Sequence, residues 1–200
     1  MLTAADLAAT FLFALEGSIA ATYYQVDVFG VLVLGFSTAL VGGVIRDVVI
    51  GYTPPASFRT PLYPLVALLG GTIVLLLDRA STDQIPKALL QVTDALGLGL
   101  FAAVGAAKAL DAGITEIVAV LLGTVSATGG GVVRDVLLNV VPIVLRGEIY
   151  AVAALSGAAT TVLALGFGTR RWVALTAGFT VCVVFRLVAV RQGWSLPYWG

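Results

Sequence analysis

The sequence predicts an all-α polytopic membrane protein: seven transmembrane helices, arranged as two inverted three-helix repeats plus a seventh helix. Three observations carry this. Sixty per cent of the 200 residues are hydrophobic and 11% are charged, less than half the roughly 25% charged residues of a soluble domain. Mean hydropathy is +1.05. The apolar residues fall into runs near the 20 or so that a helix needs to cross a bilayer core of about 30 Å, and one stretch occurs twice.

That stretch spans residues 34–54 (LGFSTALVGGVIRDVVIGYTP) and 122–142 (LGTVSATGGGVVRDVLLNVVP). At an offset of 88, ten of 21 positions are identical, Gly-Gly-x-x-Arg-Asp among them. The chain carries an internal duplication.

In chain order, span 1 covers residues 7–24, interrupted by Glu16 and closed by Tyr23-Tyr24 at the interface. The first Lys or Arg is Arg46. With no cationic segment before it, span 1 is expected to be retained and not cleaved as a signal. Span 2 covers 28–50 and holds the first motif copy, and Gly51, Pro54, Pro55 and Pro61 predict a rigid loop after it. Span 3 lies between Arg59 and Asp78, followed by a polar loop to Lys87 that contains Pro86. Span 4 covers 89–110, and span 5, 117–138, holds the second copy. A loop with Pro142, Arg146, Gly147 and Glu148 precedes span 6, which lies between Glu148 and Arg170. Span 7 covers 172–190, and Trp194, Tyr198 and Trp199 of the tail suit the headgroup region.

The expected organisation is one transmembrane domain over 1–200, with repeats at 4–78 and 88–169 and span 7 at 171–190. Three spans is an odd number, so the second copy enters the membrane from the opposite side. Charge bias leaves the absolute orientation open. Arg79, Lys87, Arg146 and Arg191 lie inside if the amino terminus is outside, and Arg59, Lys108, Arg170 and Arg171 if it is inside.

On a helix, Gly35, Ala39 and Gly43 form one ridge, matched by Gly123, Ala127 and Gly131; small residues so spaced let helices approach closely in lipid. The adjoining ridge is Thr38, Gly42 and Arg46, matched by Ser126, Gly130 and Arg134. Gly42-Gly43 and Gly129-Gly130-Gly131 weaken their helices by roughly 1 kcal/mol per glycine relative to alanine. Two readings stand. The glycines form a packing face, or a kink or unwound turn there frees carbonyls to line water and coordinate a monovalent cation. Arg46 and Arg134 are either snorkelling anchors or buried functional charges. Asp47 and Asp135, adjacent to them, are expected to cap or pair with a different element, because sequence neighbours do not face each other on a helix. Glu16 and Lys108 read as an internal ion pair or cap, or as pore-lining charges. Arg186 reads as an anchor, and Asp6 and Asp94, which match across the repeat, as carboxylates favoured by the helix dipole at span starts.

Other chemistries find no support. Lys plus Arg and Asp plus Glu balance at eleven each, so there is no basic field for nucleic acid. His is absent, Cys182 is the only cysteine and reads as a packing residue, and no hydrolase or phosphate-binding motif is present. No enzyme, cofactor or resident metal is expected.

The paired GGxxRD motifs, each followed by a proline loop within a 3+3+1 arrangement, resemble those of the prokaryotic trimeric intracellular cation (TRIC) channels, a family overlapping a group of small bacterial membrane proteins. The segments DALGLGLFAAVGAAKAL, from Asp94, and Arg146 to Tyr150 also fit. The resemblance covers essentially the whole chain. It implies a homotrimer in the inner membrane, amino terminus outside, with a pore in each protomer conducting K+ and, less selectively, Na+. It implies that Gly42, Gly43, Gly129, Gly130 and Gly131 border the pore at glycine kinks; Thr38 and Ser126, on the ridge read above, join them as pore-lining candidates. It makes Arg46 and Arg134 charged pore or gate candidates, with Lys108 a gating charge; Asp47, Asp135 and Glu16 are added to these candidates from the residue reading above. Bound lipid and the permeating cations are the expected associates. Val41 stands where the second copy has Gly129, which makes span 5 the more flexible element. Relatives in the same bacterial group are implicated in glycine uptake, so a small-amino-acid transporter is the alternative. A purely structural membrane protein would not need Arg46 and Arg134 in matched positions.

Overall fold

The computed structural model describes residues 2–80, 84–146 and 149–197. Among them are eight α-helices: α1 (Leu2–Tyr23), α2 (Val28–Val49), α3 (Ala56–Arg59), α4 (Leu62–Ala80), α5 (Lys87–Asp111), α6 (Glu116–Leu137), α7 (Ala151–Gly166) and α8 (Arg171–Gln192). A single 3₁₀ turn, Ile143–Leu145, lies between α6 and α7. Six helices are long and apolar enough to cross a bilayer. The seventh, α7, has 16 residues, about 24 Å at 1.5 Å per residue, and so is shorter than the expected span 6. The rigid loop expected after α2 holds the one-turn helix α3. Gly147, Glu148, Tyr198 and Trp199, and positions 81–83 of the polar loop, lie outside the described residues.

The centre is made by α1 and α5, the two most deeply buried helices. They run antiparallel: Lys108, late in α5, reaches Asp6, early in α1, while the Tyr23 hydroxyl at the end of α1 donates to the carbonyl of Ile85, just before α5. Between them Phe13 and Phe101, 88 positions apart, stack with centroids 5.4 Å apart and planes 17° from parallel. α2 and α4 pack on α1, α6 and α8 on α5, α2 on α6, and α7 on α8. Cys182 is buried in this core, as a packing residue should be.

Ends of the elements repeat as well. α2 is capped at Ile50 and α6 at Leu138, each followed by a left-handed residue, Gly51 (φ 75°) and Asn139 (φ 55°), again 88 apart. Gln25 (φ 52°) after α1 matches Gly113 (φ 78°) after α5. Glycine and asparagine tolerate this conformation, which lets the chain turn off the last helical turn. Asp27 caps α2 by accepting the Gly30 amide at 2.7 Å, and Gly193 (φ 64°) ends α8. Trp194 then packs edge-on against Phe185.

Candidate functional site

The duplicated motif builds the middle of the molecule first. α2 and α6 cross antiparallel with their backbones in direct contact. A Cβ on Gly42 would lie 2.0 Å from the Ser126 carbonyl oxygen, and one on Gly130 would lie 2.1 Å from the Thr38 carbonyl oxygen. The contact is reciprocal. Gly35 and Gly123, on the adjoining ridge, admit the backbones of α1 and α5 respectively, with Ala14 O and Ala102 O within 2.9 Å of the added atom. Gly35, Gly42, Gly123 and Gly130 thus each pack against the backbone of a neighbouring helix. α2 and α6 are helical without interruption through Gly42-Gly43 and Gly129-Gly131, which corrects the expectation of an unwound turn. The physical reason is the crossing itself: in lipid, close backbone contact offsets the weak helix propensity of glycine. Thr38 Oγ1 donates to the Leu34 carbonyl at 2.7 Å. The Ser126 hydroxyl, equally buried, has no hydrogen-bond partner among the described residues.

One turn beyond the crossing, α2 delivers Arg46 into the first charged cluster. Its guanidinium donates to Asp6 (Nη1–Oδ1 2.9 Å, Nη2–Oδ2 3.3 Å) and to the adjacent Asp47 (Nε–Oδ1 2.9 Å). Asp6 also accepts from the Tyr63 hydroxyl at 2.9 Å and the Lys108 ammonium at 2.6 Å. Arg46 is 1% exposed. Burying it is tolerable because charge-assisted bonds satisfy it from two sides. Asp47 also holds the loop that follows, since its Oδ2 accepts the Ala56 amide at 2.9 Å and fixes the start of α3.

The second cluster repeats the frame and changes the partners. Arg134 donates from Nε to Asp135 Oδ1 at 2.8 Å, and Asp135 Oδ2 accepts the Ile143 amide at 2.8 Å, at the start of the 3₁₀ turn. The Tyr150 hydroxyl donates to Asp94 at 2.9 Å. However, Arg134 forms its ion pair across the molecule with Glu16 of α1. Asp94 is matched instead by Arg186 of α8, whose Nε lies 3.6 Å from Oδ2 and whose guanidinium sits 4.9 Å over the Tyr150 ring. Asp94 and Lys108 are 14 residues apart on α5, so the clusters stand about 21 Å apart along the helix.

Each cluster borders a cavity open to the outside. The first, about 490 Å³, is lined by Asp47, Tyr52, Arg59, Tyr63, Lys108 and Asp111. The second, about 460 Å³ and at the other end of α5, is lined by Tyr23, Tyr24, Lys87, Gln91, Arg134 and Asp135. Inward of the first lies a pinched space of about 10 Å³ between Asp6, Thr10, Gly43, Arg46 and Phe101.

The structure therefore gathers Arg46, Asp47 and Lys108 in one cluster, and Arg134, Asp135 and Glu16 in the other. Glu16 and Lys108 are in ion pairs, one of the readings open for them. Each motif aspartate pairs with its neighbouring arginine, against expectation, while its other oxygen holds a different element as expected. The longer reach of the arginine, folded back past one residue, makes this possible. Asp6 and Asp94 are corrected from dipole-favoured residues at span starts to buried ion-pair acceptors, and Arg186 from anchor to buried partner of Asp94. Tyr63 and Tyr150 are the cluster residues that motif spacing misses. The loop after the second motif is one residue shorter, so they sit 87 apart, like Pro55 and Pro142, which precede α3 and the 3₁₀ turn; an alignment allowing one gap brings them into register.

Fold and site together describe a multi-pass membrane protein with a charged vestibule at each end of α5, and its relatives place it in the inner membrane. A family model described as "Glycine transporter" matches residues 3–79 and 91–165, two segments that begin 88 apart. The UPF0126 inner membrane protein YadS of Escherichia coli is 36% identical over 193 residues, covering 96% of this chain and 93% of that protein. A UPF0126 membrane protein of Vibrio cholerae is 37% identical over 194 residues, covering 96% of this chain and 80% of that one. The chain belongs to this family. Among solved structures it is similar to a TRIC cation channel (TM-score 0.88, 36% identity, covering 99% and 97% of the two chains). It is also similar to the TRIC trimeric intracellular cation channel orthologue of Rhodobacter sphaeroides (TM-score 0.89, 35% identity, covering 96% and 98%).

Proposed function

We propose that this protein is a monovalent cation channel, conducting K+ and less selectively Na+, with a pore inside each protomer of a homotrimer. The observation that carries the reading is the pair of vestibules at opposite ends of α5, each bordered by one of the charged clusters. The fold we propose for it is two inverted three-helix repeats (4–78 and 88–169) with α8 as the added seventh span. The antiparallel α1–α5 pair and the reciprocal crossing support that inversion. The conduit runs past Thr38, Gly42 and Gly43 on α2 and Ser126, Gly129, Gly130 and Gly131 on α6. Opening requires the two helices to part at Gly42 and Gly130, where their backbones touch. The unpartnered Ser126 hydroxyl and the carbonyls of Thr38 and Ser126 then become ligands for a partly dehydrated cation. Arg46, Asp47, Lys108, Arg134, Asp135 and Glu16 act as gate charges. Locked in neutralising pairs, they do not repel a cation; released, they change the field over the conduit.

A second reading, a secondary transporter of glycine, is favoured by the description of the family model. Two vestibules closed off from each other also suit alternating access. Recording K+ currents in planar bilayers beside radiolabelled glycine uptake in liposomes from the same preparation separates them. Unitary current steps establish the channel; saturable uptake without steps establishes the transporter.

For the channel, Lys108→Met and Arg134→Gln are each expected to change open probability about tenfold, the effect of ~1.4 kcal/mol on an open–closed equilibrium. Single-channel traces indistinguishable from wild type for both would remove these residues from the gate.

A further inference from the structure

The two clusters differ in charge. Among the described residues the first holds two carboxylates, Asp6 and Asp47, against Arg46 and Lys108. The second holds three, Glu16, Asp94 and Asp135, against Arg134 and Arg186. Among the described ion pairs of the second cluster the carboxylates thus outnumber the guanidiniums by one. Three carboxylates around two guanidiniums do not all stay ionised cheaply in a low-dielectric interior, because the excess charge is neither hydrated nor neutralised.

Geometry selects the residue. Asp135 has both oxygens occupied, by Arg134 and the Ile143 amide. Asp94 accepts Tyr150 on one oxygen and faces Arg186 with the other. Glu16 is 0% exposed, its Oε1 is in ion-pair contact with Arg134, and neither of its oxygens accepts a hydrogen bond among the described residues. A bare carboxylate oxygen in that setting is the place a proton lowers the free energy most. Arg134 itself lines the second vestibule, so the group facing Glu16 also touches the aqueous phase.

We propose that Glu16 is a proton-binding site reached from the second vestibule past Arg134, and that protonating it releases Arg134 and loosens the contact of α1 with α6. A proton from vestibule water bonds to Oε2, the carboxylate becomes a neutral acid, and the cluster becomes neutral. Charged groups on every element packed against α1 frame this step. α6 supplies Arg134 and Asp135; α5 supplies Asp94 and Lys108, the latter held at Asp6. α2 supplies Arg46 and Asp47, with Tyr63 of α4, all at the Asp6 end of α1. α4 also supplies Asp78 and Arg79, exposed at its far end. Lys87 lines the second vestibule, and Arg146 lines a smaller cavity with Asp135. Both are solvent-exposed, so water screens their charge.

The inference rests on the transport reading for its consequence but not for its site, and two experiments keep these apart. In liposomes, K+ flux through the wild-type protein is expected to rise about tenfold between about pH 8 and pH 5, as a ~1.4 kcal/mol bias on the gate would give. Glu16→Gln should hold the acid-side flux at every pH. A Glu16→Gln variant that keeps the wild-type profile overturns the proposal. The second experiment needs no transport. The chain has three glutamates, Glu16, Glu116 and Glu148, so ¹³C-glutamate labelling isolates their carboxyl bands in infrared difference spectra of the wild-type protein. A protonated-carboxyl band that appears as pH falls and is missing from Glu16→Gln supports the site. Glutamates that remain fully ionised down to about pH 5, above the ordinary Glu range, overturn it. Should no cation move at any pH while the band titrates, the channel reading fails and the proton site stands.

Discussion

Replacing Asp6 by alanine is expected to destabilise the protein by about 3–5 kcal/mol, the cost of removing one partner from a buried ion pair. Asp6 is the common acceptor of Arg46, Lys108 and Tyr63, which arrive from α2, α5 and α4. Without it Arg46, 1% exposed, keeps only Asp47. Lys108, whose side chain is 19% exposed, turns toward the first vestibule and loses less. The double variant Asp6→Leu with Arg46→Met should recover part of the loss, because the buried guanidinium is no longer stranded, while Asp47 keeps the Ala56 amide and Lys108 turns to the vestibule. Thermal or denaturant unfolding in detergent measures both. A single variant within about 1 kcal/mol of wild type would mean that water or lipid, not Asp6, satisfies Arg46.

Gly42→Ala should be nearly as damaging, and Gly43→Ala should not. At Gly42 the new methyl would lie 2.0 Å from the Ser126 carbonyl oxygen, a backbone atom that moves only if α2 and α6 separate. At Gly43 the nearest atoms are Arg46 Nη2 at 3.6 Å and Phe101 Cε1 at 3.9 Å, ordinary contact distances. The same change one residue apart thus carries opposite signs. Overpacking costs about 1–3 kcal/mol or more at Gly42, while alanine's better helix propensity adds up to about 1 kcal/mol at Gly43. Gly130→Ala, 2.1 Å from the Thr38 carbonyl oxygen, should behave like Gly42→Ala. Equal effects at Gly42 and Gly43 would show that the crossing is not backbone-tight.

Much of this was legible from the sequence. The membrane class followed from composition, and the long spans from their lengths, because lipid admits few alternatives to a continuous apolar helix. The duplication marked Gly42 and Gly130 as equivalent, but that the two meet at one crossing came only from the structure. The charged residues were harder. A one-dimensional reading judges Asp6, Asp94 and Arg186 by their nearness to span ends. The partners of Asp6 come from 40 to 102 positions away, and no local pattern encodes such pairings. The exchange by which Glu16 takes Arg134 and Arg186 takes Asp94 has no counterpart in the first half, so the repeat itself pointed to the wrong partner. Uninterrupted helices through three consecutive glycines were likewise invisible to propensity, because the neighbour that stabilises them lies in the other copy.

The reciprocal contact at the crossing bears on how such a chain evolves. Had the halves been separate copies of one gene, any bulky replacement at the equivalent of Gly42 would have struck the junction twice. Within one chain it strikes once, and each side is free to vary singly. Glu16 and Lys108, whose counterparts 88 positions away are Val104 and Ala20, are the kind of one-sided novelty that joining the two copies permits.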